Sequence, residues 1–223
     1  MIARRRSLAD YRPMGAGLVI VVGLVREARI AAARGRVAIG AVGIADALAG
    51  ARGLISFGIC GALDPALVVG DLVIADGVVG DDGALATNPA WTAALRAALP
   101  GSRSGLVAGG DAIVGSVAAK AALRQANGAT IVDMESHSVA EAARKAGLPF
   151  AVVRAVSDTA ASALPRAAQA GFKADGQPDV GAVIATLLRR PWELPALIRT
   201  AVDAERAFRS LAVAAQSLTS PPL

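Results

Sequence analysis

Residues 131–140, "IVDMESHSVA", set two carboxylates where an apolar run should be entering a core. Asp133 and Glu135 flank Met134 and share a face if a strand persists through it, because successive side chains alternate. An acid pair in apolar surroundings is strongly unfavourable unless it is paired or hydrogen-bonded. A metal, an arginine or a ligand hydroxyl would compensate it. The metal option lacks ligands of the right type and spacing, although carboxylates alone can hold magnesium. Arg154, in the neighbouring expected strand, can take one acid. The other is then free for a sugar diol, which a carboxylate binds through two acceptor oxygens; a purely structural ion pair stands equally open. His137, the only histidine, sits one step into the following helix. No G-x-S-x-G elbow accompanies it, so it reads as a polar helix-start residue.

These groups need elements to position them. In open α/β sheets, ligands gather at the carboxyl ends of the strands. Four expected strand ends carry polar or glycine-rich residues: "LVREAR" after Leu18–Gly23, "GICG" after Leu54–Phe57, "DMES" after the 130s strand, and "SD" after Phe150–Val156. Each alone is an ordinary turn or cap; their recurrence at equivalent sheet positions carries the argument. Further strands are expected at Val37–Val42, Leu72–Val79 and Leu106–Val107. Helices are expected at Ile44–Ala51, Trp91–Leu99, Ser116–Gln125 and Ser136–Ala146, the last stopped by Gly147 and Pro149. Pro165 to Val180 reads as a long loop. A final amphipathic helix sets Leu194, Leu197, Ile198, Ala201, Phe208 and Leu211 opposite Arg199, Asp203, Arg206 and Arg209. The β–α–β order with continuous apolar strands predicts a sheet covered by helices on both faces.

Composition narrows the class. The chain is 54% hydrophobic but only 3% aromatic, so Ala, Val, Leu and Ile must build the core. The net charge of +5 is concentrated partly at Arg4, Arg5, Arg6 and Arg12. Basic residues are not interleaved with aromatic ones as in many single-strand binders, so no nucleic-acid partner is expected; phosphates or an anionic lipid surface remain open. Cys60 is alone and fits a reducing cytoplasm. The apolar run from Pro13 to Val25 is too short for a membrane span. Asp10 and Arg12 interrupt what would otherwise imitate an export signal, so a cytoplasmic location is expected. Without repeats or linkers, residues 1–223 read as one domain.

Three blocks resemble one family. "VDMESHSVAEAARKAGLPFAVVRAVSD" and "FGICGALDPALVVGDLVIAD" are similar to its sugar-binding and glycine-rich segments, and "GGDAIVG" to the segment lining its base pocket. In their order along the chain, glycine-rich segment first and sugar-binding segment last, and over nearly the whole chain, they resemble the purine nucleoside phosphorylase and nucleosidase superfamily. The resemblance implies an α/β fold, a three-layer α/β/α domain with a mixed central β-sheet, and cleavage of the N-glycosidic bond of a purine nucleoside. It implies no cofactor, with inorganic phosphate as a co-substrate if the reaction is phosphorolytic, and a homo-oligomer. "FGICGALDP" and "WELPALIRTAVDAERAF" further resemble the hopanoid-biosynthesis-associated phosphorylase group. That implies release of adenine from adenosylhopane, a lipid-linked nucleoside, and suits peripheral membrane contact through the basic N-terminus or final helix.

The resemblance also assigns roles. Glu135 would hold the ribose hydroxyls, with Met134 packing on the sugar. Asp158 would face purine N7 as proton donor, positioned by Ser157 and holding its proton near neutral pH through partial burial. Ile113 and Val114 would pack on the base, and Gly58 belongs to the same substrate-binding set. The attacking group is less defined. Phosphorolytic relatives place an arginine and a serine where this chain has Ser56 and Ile59. Hydrolytic relatives write "GAMEEE" where this chain has "GLVREA", so Ala28 falls at the water-activating glutamate. Gly23 and Arg26 could hold phosphate in this loop, while Glu27 could reach a water; both side chains could equally face solvent. Phosphorolysis is the preferred expectation. A hydrolytic 5′-methylthioadenosine/S-adenosylhomocysteine-type nucleosidase is the first alternative and a non-catalytic nucleoside-binding protein the second. A dehydrogenase is disfavoured because no G-x-G-x-x-G follows the first strand.

Overall fold

In the computed structural model, which describes residues 17–80, 83–110, 112–171 and 177–222, the first strand β1 (Leu18–Val22) is buried along its whole length. Such a strand must be covered on both faces, and it is. Leu18, Ile20 and Val22 join one apolar cluster, and Val19 and Val21 the other. The chain continues through α1 (Val25–Ala31), β2 (Arg36–Ile39), α2 (Val42–Ala47), β3 (Gly53–Ala62), β4 (Leu72–Ile74), β5 (Gly77–Gly80), β6 (Gly83–Ala86) and α3 (Pro89–Ala98). Then come β7 (Leu106–Gly109), α4 (Val117–Asn127), β8 (Ile131–Asp133), α5 (Ser136–Ala146), β9 (Phe150–Asp158), α6 (Arg166–Ala170), α7 (Val180–Arg189) and α8 (Leu194–Ala215). The arginines at 4, 5, 6 and 12, and Asp111 of "GGDAIVG", lie outside the described residues.

The strands form one mixed sheet in the order β2-β1-β3-β8-β7-β5-β6, with β9 pairing with β3 and β4. β3 is its spine. It runs parallel to β1 over Gly53–Ser56 and to β9 from Leu54 to Gly61, then meets antiparallel β8 at Gly61 and Ala62. One face is covered by α1, α3 and α8 through Ala28, Trp91, Leu95, Phe208 and Leu211. The other is covered by α2 and α5 through Ile44, Ala47, Val139, Ala140 and Ala143. This is the expected three-layer α/β/α architecture. Trp91 fits because Gly53 lacks a side chain: a Cβ there would lie 2.8 Å from the indole. The indole Nε1 donates to Thr219 O at 3.1 Å. Burying Phe208 and Leu211 contributes about 1.5–3 kcal/mol each.

Several local expectations change. "GICG" does not break the strand. β3 runs on through it, because Gly58 and Gly61 make room for side chains instead of turning the chain. The expected strand Leu72–Val79 divides at Ala75 and Asp76 into β4, on β9, and β5, on β7. "LVREAR" is largely helical, as α1, and the expected loop after Pro165 contains α6. The 130s strand stops at Asp133, so Glu135 leads into α5 and does not extend a strand face. The last helix also departs from its expected packing. Phe208 and Leu211 are buried, whereas Leu194, Ile198 and Val202 are exposed, as are Val180, Ile184 and Leu188 of α7 and Trp192 between them. No helix among the described residues is long and apolar enough to cross a membrane.

Candidate active site

The carboxyl ends of β1, β3 and β9, with the β8–α5 junction, surround an open cavity of about 680 Å³. Its floor is formed by Glu27, Asp133 and Glu135, which rest on the fully buried Arg154 beneath them. This residue sits in the middle of β9 and has no solvent exposure. Its Nε lies 2.7 Å from Asp133 Oδ2, and one terminal nitrogen lies 3.3 Å from Glu135 Oε2. The other donates to Ser56 Oγ at 2.6 Å. Ser56, where phosphorolytic relatives carry arginine, thus supports Arg154 from the adjacent strand.

Asp133 is fully occupied by structure. Its Oδ1 accepts from the backbone N–H of Ser136 at 2.9 Å and of Glu135 at 3.2 Å, and Ser136 Oγ donates to Oδ2. The acid at the strand end therefore starts α5 and pairs with Arg154. Glu135 points into the cavity, and its half-buried carboxyl is raised above the ordinary range, chiefly by burial, with Arg154 pulling it down and Asp133 pushing it up. Its Oε1 fills the space beside Gly23, where a Cβ would lie 2.2 Å away.

Glu27 is the third acid. It belongs to the first turn of α1 and is 1% exposed. Oε2 accepts from Gly23 N and Leu24 N, each at 2.9 Å, and Oε1 accepts from Ile59 N at 2.8 Å. Gly58 lies underneath: a Cβ there would be 2.5 Å from Glu27 Oε1 and 2.6 Å from Arg154. Burial pushes the Glu27 carboxyl up to about 7, against the opposing pull of Arg154 and the Ile59 N–H, with Glu135 adding to the rise. A carboxyl poised there is well matched to accepting a proton near neutrality. Arg154 occupies the space among these acids that a cation would need.

Across the cavity, Asp158 ends β9. Its Oδ1 accepts from Ser157 Oγ at 3.0 Å, and its Oδ2 pairs with Lys120 Nζ. Met134, Ile113 and Val114 line the space between the two acidic sides, with Leu164 and Gln169 at its border.

Most of the expected site residues therefore converge: Glu27, Met134, Glu135, Ile113, Val114, Ser157 and Asp158 line one cavity. Three placements are corrected. Arg26 turns to the outside, where it pairs with Glu205 at 2.6 Å and lies 4.2 Å over the Phe208 ring. The N–H of Gly23 is already taken by Glu27, so what this glycine supplies is room for Glu135. Gly58 packs beneath Glu27 and Arg154 and does not line the cavity. The solvent-facing alternative for Glu27 also falls: α1 turns it inward with Ala28 and Ala31. His137 packs against Gly80 and Gly109, away from the chemistry. Lys120 was not singled out by sequence; its signal was a lone charge inside the alanine-rich run "VAAKAAL".

Comparisons with known proteins place the chain in a family and give its fold relatives. Residues 6–190 match the phosphorylase superfamily. A 5′-methylthioadenosine/S-adenosylhomocysteine nucleosidase of Staphylococcus aureus (strain JH9) is 33% identical over 130 residues, which span 48% of this chain and 57% of that protein. An S-adenosylhomocysteine nucleosidase from Streptococcus pyogenes, solved with 5-methylthiotubericidin, superimposes with a TM-score of 0.62 at 21% identity, covering 94% of this chain and 99% of that one. The futalosine hydrolase of Helicobacter pylori gives a TM-score of 0.58 at 22% identity over 65% of this chain and 88% of its own. At these identities the structural likeness is one of fold.

Proposed function

The chain belongs to the phosphorylase superfamily, and from that premise we propose that it cleaves the N-glycosidic bond of a purine nucleoside by hydrolysis. The observation that carries the reading is the placement of Glu27 and Glu135 over Arg154 on one side of the cavity, with Asp158 on the other. Glu135 binds the ribose hydroxyls through the oxygen that Arg154 leaves free. Asp158 gives a proton to the leaving purine, and Ile113, Val114 and Met134 pack on base and sugar. As the C–N bond lengthens, the sugar gains positive charge, and the carboxyls on Arg154 stabilise it electrostatically. Glu27 takes the proton of the attacking water.

Water is favoured over phosphate because no lysine or arginine lines the cavity among the described residues. Arg26, the reason to prefer phosphorolysis, is engaged elsewhere. Adenine release with and without inorganic phosphate tests this directly. Equal rates support hydrolysis; a rate that depends on phosphate, with ribose 1-phosphate as product, overturns it.

The finer reading is an adenosine whose 5′ position carries a lipid. It rests on the similarity of "FGICGALDP" and the C-terminal block to the hopanoid-associated group, which points to adenosylhopane. The exposed apolar stripe of α7 and early α8 supports contact with a lipid surface. Arg189 and Arg199 lie within this region and make no ion pair among the described residues. Homo-oligomer formation remains part of the proposal, and light scattering tests it.

A further inference from the structure

Among the described residues only two basic side chains are buried, Arg154 and Lys120. Arg154 is accounted for by the acid cluster. Lys120 lies in α4, one helical turn after the Ser116 cap, and is 1% exposed. Its ammonium has three hydrogens to place. Nζ donates to Asp158 Oδ2, to Thr159 O at 2.8 Å and to Ser162 O at 3.0 Å. None of its donors is left for a ligand, and the side chain does not line the cavity. A buried ion pair is weak evidence for stability, since an apolar pair of similar volume often serves as well. This pair ends on the cavity-lining carboxyl that faces the leaving base in the proposed reaction.

We propose that Lys120 is a positioning residue for departure of the purine. It fixes Oδ2, so that Oδ1, held by Ser157 Oγ, is presented to the base. It also neutralises the charge that appears when Asp158 gives up its proton. The proposal rests on the N-glycosidic reading. In the step, the bond between the anomeric carbon and purine N9 breaks, and its electron pair stays with the base. Asp158, a carboxylate in its pair with Lys120, takes up a solvent proton on Oδ1 as the nucleoside binds; that proton moves to N7, so the purine leaves neutral, and the restored carboxylate is met at Oδ2 by the Lys120 ammonium. The sugar cation takes the oxygen of water, whose proton passes to Glu27. Exchange with solvent then removes the proton from Glu27.

A purely structural role predicts something different. Lys120 also ties residues 159–162 to α4, next to the Leu164 N–H that donates to Gly115 O at 2.8 Å. If that tie were its whole purpose, removing it would damage every reaction in the cavity alike. The leaving group separates the two cases. Adenine needs a proton to leave, whereas 4-nitrophenolate does not. Lys120→Met and Lys120→Arg are compared with wild type on 5′-methylthioadenosine and on 4-nitrophenyl β-D-ribofuranoside, with circular dichroism to confirm folding.

The expected result for Lys120→Met is a fall of about 10²-fold in kcat for adenine release, with KM little changed. Nitrophenolate release should fall less than about threefold on the same scale, and Lys120→Arg should regain part of the lost adenine release. Equal losses on both substrates, or unchanged adenine release, overturn the proposal. If Lys120→Met does not fold, the same ratio is read from Lys120→Arg. Adenine release by wild type with no selective loss in the variants overturns the Lys120 role alone; wild type that releases no adenine overturns the functional reading as well.

Discussion

Replacing Glu27 by glutamine should change how stability depends on pH, in a direction and by an amount that follow from its surroundings. The carboxyl stands at about 7 in the folded chain against an ordinary value of 4.5. The folded state therefore keeps a proton that the unfolded state loses as pH rises above 4.5. Stability from this group is full below 4.5, declines between 4.5 and 7, and is lost above 7. At about 1.4 kcal/mol per pH unit, the total is about 3 kcal/mol. Glu27→Gln removes the titration. It also sets an amide nitrogen against a backbone N–H at Ile59 or at Gly23 and Leu24, costing about 1–3 kcal/mol, independent of pH. That constant cancels when the variant-minus-wild-type difference is compared between two pH values. Urea unfolding at pH 4.5, 6 and 7.5 should show the difference moving toward the variant by about 3 kcal/mol across the range. Adenine release by the variant should meanwhile fall by about 10²–10⁴-fold. Parallel stability curves would mean that Glu27 ionises as an ordinary carboxyl, and the argument for it as the base would fail.

Other consequences follow from the same cluster and from the surface. Arg154→Leu leaves Asp133 and Glu135 without their buried counter-ion and should lower unfolding free energy by about 3–5 kcal/mol, read by urea titration at neutral pH. Gly23→Ala drives a methyl group into Glu135 Oε1, 2.2 Å from the ideal Cβ position. A rise of about tenfold or more in KM for the riboside is expected, equivalent to about 1.4 kcal/mol of lost binding; an unchanged KM would remove Glu135 from the sugar site. Trp91 is fully buried and Trp192 is 68% exposed. Anionic vesicles should therefore blue-shift the Trp192 emission, and Arg189→Glu with Arg199→Glu should abolish the shift. No shift, or one that survives both substitutions, would count against membrane contact through α7 and α8.

The layered fold was legible because β1, β3 and β9 are apolar on both faces, a pattern that admits little besides a covered sheet. That Glu135, Met134, Ser157 and Asp158 would line one cavity was legible because each lies at or next to a strand end. Local backbone detail was not. Gly58 and Gly61 read as breakers, since sequence alone does not distinguish a glycine that turns from one that clears space for a neighbour. Here the neighbours are Glu27 and Arg154, separated from Gly58 by 31 and 96 positions along the chain. Glu27 itself was displaced by one residue from the position expected of a water-activating acid, and only the phase of α1 puts it inside while Ala28 enters the core. Arg26 looked like a phosphate ligand until the distant Glu205 supplied its partner. Lys120 gained its meaning from Asp158, 38 residues on.

The cluster also explains why an acid at the end of a buried strand is tolerated. Asp133 holds Arg154 and opens α5, so Arg154 arrives at the cavity already compensated on one side. Glu135 and Glu27 then share what remains of its charge, and neither is fully satisfied by it. Burial raises both carboxyls above the ordinary range. Such a site is poorly stabilised when empty and gains most when a positive charge appears beside it. In the proposed reaction a sugar becoming cationic would provide that charge only as the glycosidic bond breaks, so the interaction would be stronger in the transition state than with bound substrate and would accelerate the reaction for that reason. The same reasoning separates the two sides of the cavity. In the proposed reaction the floor attracts developing positive charge, whereas the Asp158–Lys120 pair absorbs the negative charge left by proton transfer to the base. Bond cleavage between them divides charge in the direction that both sides favour.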